Sequence, residues 1–154
     1  MKIILVFEDE NHMAAWRMHI ENLRLEHNVN NPAVEFIETR TEAQCLDSFE
    51  KEKHGKDVCL IIVSFKLWLK GNGVDCVAKL RKAGYHGKII AAFAFYPPAE
   101  SFWSGYDPRD EIDLEEIRYR FVEGGADYLL PISASSLSDR EFLDILRAVK
   151  VFPV

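Results

Sequence analysis

Three consecutive carboxylates, Glu8, Asp9 and Glu10, follow directly on an apolar run that ends at Phe7. Carboxylates this close together can hold a hard divalent cation through oxygen, line a small-molecule site, or cap a helix and complement its dipole for about 0.3 to 1 kcal/mol each. Position helps to choose among these. The run from Lys2 to Phe7 reads as a strand buried on both faces. The carboxylates therefore sit at its carboxyl end, where open α/β sheets place their ligand sites.

The other reactive side chains form no recognisable constellation. Cys45, Cys59 and Cys76 lack Cys-x-x-Cys spacing and fit reduced thiols better than a disulfide frame or a zinc site. Cys59 and Cys76 read as small buried apolar side chains. The histidines at 12, 19, 27, 54 and 86 are scattered; His12 and His19 could share a helix face, but imidazole ligands need convergent partners. There is no Gly-rich phosphate loop and no nucleophile elbow, so an enzyme using the acidic cluster ranks last.

Composition narrows the class. With 154 residues, 48% hydrophobic and 29% charged, the chain can fill one core, and the reading is one domain over residues 1–154 with no output domain. A net charge of -6 disfavours binding to duplex nucleic acid, which needs clustered Lys and Arg. The apolar start is far shorter than a spanning helix and is interrupted by carboxylates, so the protein is expected to be soluble, cytoplasmic and free of membrane contact.

The elements that must position the carboxylates alternate strand and helix throughout, the pattern of a doubly wound parallel sheet. A first amphipathic helix from Asn11, its expected N-cap, to about His27 carries Met13, Trp16, Ile20, Leu23 and Leu25. A second strand over Ala33 to Ile37 sets Val34 and Phe36 on one face and Ile37 on the other. Thr41 and Gln44 form a capping box for the second helix. Val58 to Phe65, almost devoid of polar atoms, is the expected sheet centre. Val74, Val77, Ala78 and Leu80 define a third helix ending at Gly84, and Lys88 to Tyr96 a fourth strand stopped by Pro97-Pro98. Asp113 to Val122 is a fourth helix stopped by Gly124-Gly125, Tyr128 to Leu130 a fifth strand, and Ser138 with Glu141 a capping box for the last helix. The connection from Pro97 to about Ile112 is long for such a fold.

In order, strand one ending Phe7-Glu8-Asp9-Glu10, Gly71-Asn72-Gly73 after strand three, and Gly124-Gly125-Ala126-Asp127-Tyr128-Leu129 before strand five resemble the response-regulator receiver family across the chain. The resemblance implies a flavodoxin-like sheet of five parallel strands in order 2-1-3-4-5, with five helices. It also implies a constellation: an acidic pair holding Mg²⁺, a phosphoacceptor Asp ending strand three, a Thr or Ser ending strand four and a Lys ending strand five. Glu8 and Asp9 match the acidic pair. Ser64, or Val63 without a loop insertion, stands at the acceptor position, Phe93 at the hydroxyl position, and Leu130 and Pro131 where the lysine belongs. No Lys occurs between Ile89 and Val149. A serine without charge or a base is a poor metal ligand and a weak nucleophile.

The expectation is thus a pseudo-receiver without catalysis or a resident cofactor, a weak Mg²⁺ site at Glu8 and Asp9 being the most the cluster could offer. Its function is expected to be phosphorylation-independent protein–protein interaction in signalling. Phe102, Trp103 and Tyr106, with Trp68, are either interaction anchors or aromatics folded back over the sheet end. By resemblance, the face of the fourth helix, fifth strand and fifth helix, with Tyr119, Tyr128 and the Ile132 to Leu137 loop, is a homodimer surface. The serines at 133, 135, 136 and 138 read as an N-cap neighbourhood. The alternative is a receiver that is still phosphorylated, or binds a divalent metal, at a rearranged site using Asp57, Asp75 or Ser64.

Overall fold

Apolar segments alternating with amphipathic ones leave each strand needing cover on both faces, and the chain meets this with a central sheet between two helical layers. The computed structural model describes residues 1–27, 33–52, 56–67, 71–93, 114–132 and 139–149. Its elements are β1 (Lys2–Val6), α1 (Glu10–Glu26), β2 (Glu35–Thr39), α2 (Glu42–Lys51), β3 (Val58–Ser64), α3 (Gly73–Lys82), β4 (Lys88–Phe93), α4 (Leu114–Gly124), β5 (Tyr128–Pro131) and α5 (Asp139–Ala148). The five strands are parallel in the order β2-β1-β3-β4-β5. This is the flavodoxin-like arrangement expected from the sequence.

Strand alternation divides the core. Ile3, Leu5, Leu60, Ile62, Ile90, Ala92 and Leu130 face the layer of α1 and α5, where Trp16, Ile20, Phe142 and Leu146 pack against them. Ile4, Val6, Ile61, Val63, Ile89, Ala91 and Phe93 face α2, α3 and α4, meeting Cys45, Phe49, Cys76, Val77, Leu80, Ile117 and Phe121. Each fully buried Ile, Leu or Phe contributes about 1.5 to 3 kcal/mol. Val34 and Phe36 join the first cluster and Ile37 the second, as their alternation requires.

Several boundaries differ from the sequence reading. β1 stops at Val6; Phe7 leaves the ladder yet stays fully buried. The N-cap of α1 is Asp9, not Asn11: its Oδ1 accepts from the Asn11 amide at 2.7 Å and the His12 amide at 3.4 Å. A carboxylate is the stronger acceptor for the orphan amides of a helix start, and this draws Glu10 into the first turn. β2 runs two residues later than expected, and β3 ends at Ser64 instead of Phe65. α3 begins at Gly73, α4 runs to Gly124, and β5 includes Pro131. The Thr41 hydroxyl caps α2 through the Gln44 amide, but the Gln44 side chain accepts from the Arg40 amide and not from Thr41 itself. Leu25, Tyr119 and Val122 face solvent. Cys59 is half-buried instead of buried, its thiol directed to the Lys2 carbonyl at 3.4 Å. The expected strand beyond Phe93, Asp113 and the Ser138 cap lie outside the described residues.

The α4–β5 junction explains the glycine-rich run there. Arg81 of α3 donates to the carbonyls of Tyr85, Gly87 and Gly125 and to the Asp127 carboxylate at 2.8 to 3.0 Å. Asp127 also accepts from the Ile89 amide at 2.9 Å. Gly125 has φ +111, and a Cβ there would meet the Arg81 Cγ at 2.8 Å. The run resembling the family pattern therefore serves as a structural joint.

Candidate functional site at the carboxyl end of the sheet

The parallel register sets the ends of β1, β3, β4 and β5 side by side: Val6 pairs with Val63, Ser64 with Ala92, and Phe93 with Pro131. Glu8, Asp9, Ser64, Phe93 and Pro131 are therefore brought to one edge, as the sequence reading required.

Each of them is engaged structurally. Ser64 is 1% exposed, and its hydroxyl donates to the Lys66 carbonyl at 2.7 Å. The loop after it closes on itself: the Gly73 amide donates to the Phe65 carbonyl at 2.6 Å, the Leu67 amide to the Gly71 carbonyl at 3.1 Å, and Lys66 bridges Asn72. A Cβ on Gly73 would stand 2.1 Å from the Ser64 carbonyl oxygen, so only glycine allows this approach. Asn72 then caps α3 by accepting from the Asp75 amide at 2.9 Å.

Phe93 is 2% exposed and stacks on Phe121 of α4 with centroids 5.7 Å apart, while Phe65 meets Phe121 edge to face at 6.2 Å. Three rings thus pack together on the α2, α3 and α4 side of the sheet end, whereas Ser64 pairs with Ala92 of the α1 and α5 side. Such pairs contribute about 0.5 to 1.5 kcal/mol beyond burial. Leu130 is buried, and Pro131 ends β5; the next amide, Ile132, donates to the Phe93 carbonyl at 3.1 Å. The Ile132 carbonyl accepts from the Trp16 indole at 2.8 Å, which ties α1 to the end of β5.

Two of the three carboxylates, Asp9 and Glu10, are committed as well. Asp9 is the cap of α1. Arg40, just past β2, donates from Nε and Nη2 to the Glu8 carbonyl at 3.2 and 2.8 Å, and from Nη1 to the Glu10 carboxylate at 3.3 Å. Among the described residues, no three His, Cys, Asp or Glu side chains are grouped as metal ligands. Sequence reasoning missed Arg40, Phe65, Phe121 and the Lys66 carbonyl. Only Arg40 had a signal available: a cation directly after the strand that flanks the acidic one.

The remaining candidates lie elsewhere. Tyr128 is half-buried at the amino end of β5, packed on the α1 and α5 layer. Asp57 precedes β3 at the amino edge, where its carbonyl accepts from the Lys2 amide at 2.9 Å; Asp75 is exposed in the first turn of α3. Trp68, Phe102, Trp103 and Tyr106 lie outside the described residues, as do the serines from 133 to 138. No described helix is long and apolar enough to cross a membrane.

No protein-family model matches this chain, and no curated protein matches it. Solved structures do. The N-terminal domain of an uncharacterized protein from Wolinella succinogenes superposes with TM-score 0.65 at 13% identity, over 98% of this chain and 94% of that one. The BeF3-activated N-terminal receiver domain of Klebsiella pneumoniae RstA gives 0.62 at 15%, over 97% and 99%. A CheY-like response regulator receiver domain protein from Methanospirillum hungatei JF-1 gives 0.61 at 17%, over 96% and 90%. At these identities the likeness establishes the fold: the chain is built as response-regulator receiver domains are.

Proposed function

We propose that the chain is a signalling module of the receiver fold that acts by protein–protein contact and does not use aspartyl phosphorylation. The observation carrying this reading is that the side chains ending β3 and β4 are both committed, Ser64 to the Lys66 carbonyl and, on the other face of the sheet, Phe93 to the Phe121 ring. Phosphoryl transfer needs a nucleophile in reach and cations or donors around the equatorial oxygens. A buried neutral hydroxyl bonded to its own loop supplies neither. On this reading the module has no enzymatic activity, no resident cofactor, no nucleic-acid partner and a cytoplasmic location.

The partner surface that fits best is α4 with β5 and α5. Tyr119 and Val122 lie one turn apart on α4 and are 65% and 57% exposed, a pair of large apolar groups on one helix face. A second copy of the chain is the occupant suggested by resemblance. The rival reading, a phosphorylated or metal-dependent receiver with a rearranged site, would have to use Ser64, already bonded to its loop, Asp57 at the amino end of the sheet or Asp75 on α3.

Incubation with acetyl phosphate and Mg²⁺, followed by intact-mass measurement, separates the two. The expected mass is unchanged. A stoichiometric gain of one phosphoryl group that hydroxylamine removes would overturn the proposal.

A further inference from the structure

Magnesium is the ion that the receiver fold implies at this end of the sheet, and the donor set here does not fit it. Asp9 gives Oδ1 to two amides of α1. Glu10 belongs to the first turn of that helix and pairs with a guanidinium. The central strand ends in a hydroxyl already donated to its own loop.

A different cation is present. Arg40 follows Thr39, which pairs with Val6, and this register brings its side chain across to the residues after β1. The Phe7 amide donates to the Thr39 carbonyl at 3.1 Å, which fixes the two chain segments side by side. The guanidinium then spans two acceptors at once: the Glu8 carbonyl through Nε and Nη2, and the Glu10 carboxylate through Nη1. This planar fork fixes the positive charge between the two acceptors. Its side chain is 29% exposed and that of Glu10 71%, so the charge is held in place by its bonds to the Glu8 carbonyl more than by the solvent-screened ion pair.

We infer that Arg40 is a built-in cation that replaces a divalent metal at the acidic end of β1, making this edge of the module indifferent to Mg²⁺. The inference rests on the reading of the module as phosphate-independent and supplies its electrostatic reason. A fixed positive charge beside Glu8, Asp9 and Glu10 offsets their mutual repulsion and repels an incoming cation. Removing that charge should expose a weak divalent site that the intact chain lacks.

Mn²⁺ titration at constant ionic strength, read as free-ion electron paramagnetic resonance, tests this on the full chain, R40Q, R40K and the double variant R40Q/D9N. Asparagine at position 9 keeps a capping oxygen while removing the charge. R40Q is expected to bind Mn²⁺ about tenfold more tightly than wild type, the scale of one unit charge lost a few ångströms away. R40K should stay close to wild type, and R40Q/D9N should lose the gain. Equal affinity in wild type and R40Q overturns the inference, as does a gain that survives in R40Q/D9N. If R40Q does not fold, R40M carries the same expectation. A wild-type chain that binds Mn²⁺ tightly yet takes no phosphoryl group removes this inference and leaves the proposed function standing. A chain that accepts a phosphoryl group removes the proposed function whatever R40Q does.

Discussion

The Ser64 hydroxyl donates to the Lys66 carbonyl at 2.7 Å, so the last side chain of the central strand is spent on its own loop. That bond is part of what folds the chain back from β3 to Gly73 and α3. Ser64→Ala removes the donor to the part-buried Lys66 carbonyl and should cost about 1 kcal/mol in denaturant unfolding. Ser64→Asp should cost more, because a carboxylate at a site 1% exposed is stripped of water.

The aromatic filling makes a separate prediction. Phe93→Ala opens a cavity against Phe121 and should lower stability by about 3 to 5 kcal/mol. The Phe93–Phe121 coupling from a double-mutant cycle should fall near 0.5 to 1.5 kcal/mol. A cost below 1 kcal/mol for Phe93→Ala would mean that the end of β4 is open to solvent and the site is not filled.

Much of this was readable in the residues. The apolar runs at Lys2 to Phe7 and Val58 to Phe65 located β1 and the sheet centre to within one residue, because strands buried on both faces carry little ambiguity. Pro131 falls at the end of β5, where the sequence reading put it. What escaped were contacts between residues far apart in sequence: Arg40 with Glu8, Phe65 and Phe121 with Phe93, and Arg81 with Gly125. Periodicity reports which face a side chain takes, not which partner it finds. The N-cap was misplaced by two residues because Asp9 and Asn11 are both good caps, and the charged one is favoured by the helix dipole. On α4, Tyr119 and Val122 were counted with the apolar set, although only Ile117 and Phe121 sit four apart on the buried stripe.

Two glycines should behave unequally. Gly73→Ala sets a Cβ 2.1 Å from backbone oxygen, which cannot move without breaking the β3–α3 turn, and should cost about 3 kcal/mol. Gly125→Ala meets φ +111 and the Arg81 side chain, whose Cγ is nearer to giving way, so about 1 to 2 kcal/mol is expected. Thermal unfolding of the two variants checks the order.

Alkaline pH should destabilise the protein. Burial pushes the Cys59 thiol from 9.0 up to about 11 and raises the Tyr85 phenol in the same direction. A proton held more tightly in the folded chain means that its contribution is complete below pH 9 and is lost as pH rises toward 11. Denaturant midpoints should therefore fall across that window, and Cys59→Ala should flatten the fall. A midpoint independent of pH in the same range would contradict the burial of these groups.

The central claim is that no phosphoryl group is captured at the end of β3, and beryllofluoride, the tetrahedral mimic of a phosphorylated carboxylate, tests it most directly. Amide NMR spectra recorded with beryllofluoride and Mg²⁺ should leave the resonances of Glu8, Ser64, Phe65 and Phe93 in place at every concentration. A saturable shift of those resonances would contradict the account.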